Sequence, residues 1–197
     1  MDFDDLHVVP IHKYPYYFED CCKLINAEWP RSETARMMSL KASCDTLPTS
    51  LVLVTSKNNV IGHCKLQRIP SIPESCFIES VVIDKALRGK KLGTHLMKET
   101  ENYCRNVLKL IMIHLSTRGQ EQFYAKLGYK VCKPVSIYGH FIPNTMKIPP
   151  ISQNDYKSSL EGTDTLMVQG PPPPPMPKIP IFNDDIKSNK IFMIKYL

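Results

Sequence analysis

Apolar positions recur along this chain in two rhythms, every second residue and every third or fourth, and the switches between them mark its elements. Residues 16–29 set Tyr17, Cys21, Leu24, Ile25 and Trp29 on one helical face. Pro30 interrupts that helix, and Ser32 is placed to cap a second one over residues 33–40. Residues 51–55 and 60–69 read as strands. Lys57-Asn58-Asn59 between them reads as a hairpin turn, because asparagine tolerates positive φ. Another strand follows at 76–83. Leu92, Leu96, Thr100, Tyr103 and Val107 then keep a helical period. A strand over 108–115 leads to a short helix at 120–127, ended by Gly128 as a left-handed cap. Tyr129 to Val135 reads as a further strand. Helices interleaved with strands predict an α/β (α+β) fold.

The pattern disappears from residue 141 to 189, where prolines, serines and acidic residues dominate. Five consecutive prolines, Pro171 to Pro175, precede Met176 and Pro177. Such a stretch cannot build a core and is expected to be mobile or extended, with polyproline II at the run. An apolar run, Ile191 to Leu197, then closes the chain. The expected organisation is a core over 1–140, a proline-rich excursion over 141–189, and a last strand over 190–197 that returns to the core sheet. A fraying tail with a sticky end is the alternative.

The chemistry concentrates between Phe77 and Arg105. A strand ending at Ile83 and Asp84 is followed by a basic, glycine-bearing turn, Arg88-Gly89-Lys90-Lys91-Leu92-Gly93-Thr94, from which the long helix opens. The first N–H groups of a helix have no internal partner, and the helix dipole favours an anion there. Glycines let a ligand approach the backbone, and Arg88, Lys90 and Lys91 add positive charge. The turn therefore reads as a pyrophosphate site. It is not a P-loop: Gly89 and Gly93 are separated by three residues, and Thr94 follows Gly93 with no Lys between. The dinucleotide fingerprint is also absent. The bland alternative is an ordinary strand–helix connection with a solvated basic turn.

Charge sharpens this reading. The net charge of +6 is unevenly placed, with ten Lys or Arg against three Glu between Ala86 and Lys133. A nucleic-acid surface would explain such a surplus, but interleaved aromatics and a matching motif are missing, so no nucleic-acid partner is expected. No apolar run reaches a membrane span, and the acidic Met1-Asp2-Phe3-Asp4-Asp5 is unlike a signal peptide. Seven cysteines without a C-x-x-C pair suggest neither a disulfide framework nor a metal site. Most read as buried thiols of a protein in the reducing cytosol.

The turn Arg88-Gly89-Lys90-Lys91-Leu92-Gly93 resembles the acetyl-coenzyme A loop of the GNAT acetyltransferases, written Arg or Gln, x, x, Gly, x, Gly or Ala, with Lys91 standing where that family usually has glycine. Phe123-Tyr124-x-Lys126-x-Gly128-Tyr129 resembles the second signature of the same superfamily. The resemblance implies a mixed, mostly antiparallel twisted sheet flanked by about four helices, with a splayed central strand pair. It implies acetyl-CoA as donor and acyl transfer to an amine by direct attack. By this resemblance, Val81, Val82 and Ile83 bind the pantetheine arm. Arg88, Gly89, Lys90, Lys91, Leu92, Gly93 and Thr94 hold the pyrophosphate, Ser116 and Thr117 line the cofactor, and Tyr124 is the general acid.

Two residues compete for the general base. Glu79 is read as sharing a strand face with Phe77 and Val81, where burial would raise its pKa toward neutrality; an edge carboxylate paired with a Lys is the alternative. His114 is the second, with an ordinary pKa already near neutrality; its alternative is a satisfied core histidine.

Trp29-Pro30-Arg31-Ser32, Gly62-His63, Ile78 to Val82, His114 to Thr117 and the proline run before a terminal strand are similar to the N-terminal acetyltransferases that act on actin. This implies substrate contacts from Trp29, Arg31, Arg36 and Lys41, because in this fold the first helix pair lies over the acceptor groove. Arginine forks match carboxylates, as an acidic N-terminus would present. It also implies actin as substrate and profilin as a partner through Pro171–Pro177; a monomer is expected. The alternatives are a GNAT enzyme acting on lysine or a small amine, and an inactive fold that recruits profilin or an SH3 domain through its prolines.

Overall fold

Seven strands form one sheet in the order β1-β2-β3-β4-β5-β7-β6. They are β1 Leu6–Pro10, β2 Thr49–Thr55, β3 Val60–Arg68, β4 Ser75–Ile83, β5 Met112–Thr117, β6 Lys130–Val131 and β7 Ile191–Tyr196. Four α-helices accompany them: α1 Phe18–Glu28, α2 Glu33–Lys41, α3 Leu92–Asn106 and α4 Glu121–Lys126. The computed structural model describes residues 3–138 and 190–197. The expected excursion over 141–189, with its proline run, lies outside the described residues.

Neighbouring strands are antiparallel except β4 and β5. Parallel neighbours need a crossover, and α3 supplies it. Helices cover both faces. Cys21, Cys22 and Ile25 of α1 and Leu40 of α2 pack on Val52, Val54 and Val82. On the other face Leu92, Leu96, Met97 and Cys104 of α3 pack on Leu51, Leu53, Cys64, Leu66 and Ile78. Every residue of β2 is buried, which accounts for its unbroken apolar run.

Two features of β4 position the site. Its pairing with β5 joins Ser75–Ile78 to Met112–Leu115 and stops there. From Ser80 to Ile83 β4 is paired with β3 alone, so its other edge opens into a splay. The second feature is a bulge. Lys65 pairs with Ser80 and Leu66 with Ile78, which leaves Glu79 as the extra residue. Cys76 and Ile78 face α3 before the bulge, and Val81 and Ile83 do so after it.

Several expected elements move, each for a local reason. β1 was not read from the sequence: it is a five-residue edge strand in which Leu6 is buried while Val8, Val9 and Pro10 are half-buried. The strand expected at 108–115 begins only at Met112. Leu108 and Leu110 donate their N–H groups to the carbonyls of Tyr103 and Cys104, and Lys109 takes φ +56, so this segment closes α3 instead. The buried face of α3 adds Met97, Glu101 and Cys104, whereas Val107 is exposed. The strand expected at 129–135 contracts to Lys130–Val131. Ser32 does cap α2, accepting from the Ala35 N–H, and Asn58 and Gly128 take the expected positive φ.

Candidate active site

A cleft of about 690 Å³ opens at the splay, lined by Val81–Ile83, by the turn at Arg88, Gly89 and Lys91–Thr94, and by Arg118, Phe123 and Tyr124. Its floor is the N-terminus of α3, which has no side-chain cap among the described residues. The N–H groups of Leu92, Gly93 and Thr94 are therefore free for an outside acceptor. A Cβ at Gly93 would lie 3.5 Å from the Phe123 ring, an ordinary contact, so that ring bounds the space above this residue. The splayed edge of β4 offers further backbone groups. This donor set fits a diphosphate joined to an amide-bearing arm.

The basic turn is held in a defined way. Arg88 donates from Nε to the Ile83 carbonyl at 3.1 Å and from Nη2 to Glu28 Oε2 at 2.8 Å. This pair holds the Glu28 carboxyl below its usual pKa range. Lys85 donates to the Ala27 carbonyl at 3.0 Å, so the turn is tied to the end of α1 by two cations. Lys91 has φ +61, a left-handed conformation that explains why glycine is usual here. Lys90, Ser116 and Thr117 do not line the cleft. Ser116 and Thr117 pair with Phe192 and Ile191 instead, because β7 occupies that edge of β5.

A second, smaller cavity of about 270 Å³ lies on the α1–α2 face, lined by Trp29, Arg36, Ser39, His63, Lys65, Glu79 and Ser80 with Ile25 and Leu40. Trp29 lines both spaces and is the residue they share. Arg36 donates from Nε to Asn26 Oδ1 at 3.1 Å and from Nη2 to the Trp29 carbonyl at 2.8 Å, which fixes the Trp29 segment against α2. A polar chain crosses the cavity wall. Lys65 Nζ donates to Ser39 Oγ at 2.7 Å and pairs with Glu79 Oε2 at 3.0 Å, and Gln67 donates to the same carboxylate oxygen at 2.9 Å.

These contacts correct three expectations. Glu79 does not share a face with Val81, because the bulge turns it to the side of Lys65 and Gln67. Its carboxyl pKa is not raised. Burial pushes it up, but the hydrogen bonds from Gln67 and Lys65 and the charges of Lys65 and Arg31 outweigh that and hold it low. Lys41 is not at the groove: it lies with Glu33, Thr34, Met37 and Met38 on another face of α2. His114 is buried with Nδ1 2.8 Å from Ser75 Oγ, and burial lowers its pKa. It lies opposite Phe77 in the zipped part of the β4–β5 pair and lines neither space.

Tyr124 lines the large cleft, edge-on to Phe123 and Tyr129. Burial, with a smaller contribution from Cys64, pushes its phenol up to about 12, so it keeps its proton across the neutral range. The residues missed by sequence reasoning are Glu28, Arg118, Lys65, Gln67 and, as a cavity residue, His63. Positions 63, 65 and 67 alternate on one strand and share one face, and that period was the available signal.

Residues 18–129 match the Acetyltransferase (GNAT) family. The chain belongs to this family. GNAT acetyltransferases use acetyl-CoA as acetyl donor, and the splay and uncapped helix start fit that cofactor. The chain is 33% identical over 181 residues to N-alpha-acetyltransferase 80 of Mus musculus, covering 84% of this chain and 57% of that protein. It thus spans little more than half the length of that relative. A GNAT-family acetyltransferase from Staphylococcus aureus shares the fold with a TM-score of 0.57 at 14% identity, over 98% of this chain and 99% of that one. A spermidine N-acetyltransferase from Vibrio cholerae does so with a TM-score of 0.56 at 17% identity, over 66% of this chain and 82% of that one. Among the described residues no cluster of His, Cys, Asp and Glu is placed to hold a metal, and no helix is long and apolar enough to cross a membrane.

Proposed function

We propose that this protein is an N-terminal acetyltransferase that transfers the acetyl group of acetyl-CoA to acidic protein N-termini, with processed actin as the foremost substrate. The observation that carries this reading is the cationic acceptor cavity. Arg36 and Lys65 outnumber Glu79 along its lining, and Arg31 is close enough for its charge to act on Glu79. Such a site attracts carboxylates and disfavours a polyamine. The similarity to N-alpha-acetyltransferase 80 supports the same reaction class.

Acetyl-CoA supplies a thioester, and the rest is done by this chain. The N–H groups at Leu92–Thr94 bind the diphosphate, with Arg88 and Lys91 adding charge. The free edge of Val81–Ile83 aligns the arm in the splay. Trp29 walls both spaces and excludes water there. Tyr124 holds a proton on its phenol oxygen for the leaving sulfur. Lys65 is fixed by Ser39 and Glu79 and, with Arg31, faces the acidic side chains of the acceptor. We assign profilin docking to Pro171–Pro177, which lies outside the described residues. The cytosol is the proposed compartment, supported by the buried free thiols of Cys21, Cys22, Cys64, Cys76 and Cys104.

Competition between peptides tests this function. With acetyl-CoA, peptides beginning Asp-Asp-Asp are expected to exceed peptides beginning Met-Leu or Ser-Ala by at least about 10-fold in kcat/KM, one well-placed charge pair being worth that much. Equal rates, or faster acetylation of an internal lysine or of spermidine, would overturn it.

A further inference from the structure

His63 is the most unusual residue of the acceptor cavity. It lies on β3, paired with Val82 of β4 and Val52 of β2, and is 1% exposed. Neither Nδ1 nor Nε2 has a hydrogen-bond partner among the described residues. A buried polar ring with both nitrogens unpaired is costly, because folding strips its water and returns nothing. The other buried histidine of the sheet, His114, is satisfied by Ser75. His63 lines the cavity that is also bounded by Trp29, Arg36, Lys65, Glu79 and Ser80.

Resting on the acetyltransferase reading above, we propose that His63 is the amine-holding residue of the acceptor cavity: one ring nitrogen accepts a hydrogen bond from the incoming α-amine beneath the cationic rim of Arg36 and Lys65. A neutral imidazole carries one acceptor and one donor nitrogen, so the other nitrogen is left for the first peptide carbonyl of the acceptor. The field in the cavity supports this assignment. Burial, then the charges of Lys65 and Arg36, push the imidazole pKa down to about 3, so the ring stays neutral. The same burial and cations disfavour an ammonium group beside it, and direct attack needs the neutral amine. Glu79 faces this cavity from β4, but its carboxylate is engaged by Lys65 and Gln67. No proton is transferred to His63. Its contribution is to orient the nitrogen lone pair toward Trp29, the residue the two spaces share.

Two measurements test the assignment. In the first, the protein is labelled with nitrogen-15 at histidine and saturated with CoA. It is then titrated with a peptide beginning Asp-Asp-Asp, and separately with the same peptide already N-acetylated. The ring resonances of His63 are expected to move with the free amine and to stay in place with the blocked peptide. Equal movement with both, or none with either, overturns the proposal. This readout needs no turnover, so it decides about His63 even if wild-type protein acetylates no N-terminal peptide, a result that would sink the functional reading alone. In the second, His63→Leu and His63→Asn are compared. The leucine variant is expected to melt at or above the wild-type temperature and to bind CoA unchanged, while kcat/KM for the acidic peptide falls roughly 100-fold. The asparagine variant, which keeps a donor and an acceptor, is expected to recover about 10-fold of that loss. Wild-type kcat/KM in His63→Leu overturns the proposal.

Discussion

The donor cleft and the acceptor cavity share one residue, Trp29, but are built in opposite ways. The donor cleft is made largely of consecutive residues: the end of β4, the turn and the first residues of α3. Its ligand groups are mostly backbone amides, which nearly every residue carries. The acceptor cavity is made of side chains from α1, α2, β3 and β4, brought together by tertiary packing. Its chemistry depends on which residues those are and on the phase of one strand. A cofactor shared by a whole family is thus met by local geometry, and an acceptor particular to one member by long-range assembly.

The largest expected effect is on the donor side. Arg88→Glu sets a carboxylate beside Glu28 and the diphosphate, and should raise the CoA dissociation constant at least about 100-fold, the effect of turning a charge-assisted attraction into a repulsion. Calorimetry measures this, and an unchanged constant would break the placement of the turn. Tyr124→Phe should lower kcat by about 100-fold and leave CoA affinity within about 3-fold, as removal of a general acid does. In the wild type, the phenol at about 12 stays protonated through neutral pH. Any alkaline fall in rate that sets in below about pH 10 should therefore persist unchanged in the Phe variant.

Lys91→Gly sharpens the contrast, because only backbone conformation is at stake. Relief of the left-handed conformation is worth about 1–2 kcal/mol, and the greater freedom of unfolded glycine removes about 0.5–1 kcal/mol of that. The melting temperature should rise by about 2 °C. A fall would show that the lysine side chain stabilises the turn. The smallest effect is that of Glu79→Gln, a half-exposed pair with Lys65 worth at most about 1 kcal/mol. The folded pKa of Glu79 lies below its ordinary value of 4.5. Its contribution is therefore present above the ordinary value and disappears as the pH falls through the lower folded one. The stabilities of wild type and variant should converge on acidification, and a constant gap would reject the ion pair as its source.

What could be read from the chain follows the same division. The turn, the Phe123-Tyr124 signature and the Ser32 cap were legible because each is encoded within a few residues, and the splay was expected only through the family resemblance those residues carry. Lys41 was misplaced because helical spacing alone does not say which face of α2 looks at the sheet. Glu79 was misread because alternation was carried unbroken through β4, and a bulge leaves no composition signal. The role of His63 was hidden for a related reason: its importance lies in the partners it lacks, and that is a property of the assembled cavity. β1 was too short and too exposed at the edge to announce itself.

The extra residue in β4 acts as a phase shifter. Upstream of it the even-numbered side chains insulate the interior; downstream the odd-numbered ones do, and two polar neighbours are released together toward the acceptor. Deleting one residue there would restore strict alternation and leave Val81 and Ile83 in the apolar layer, but only one of the two polar neighbours would then remain toward the acceptor. One inserted amino acid thus lets a single strand serve as girder at one end and as reaction surface at the other.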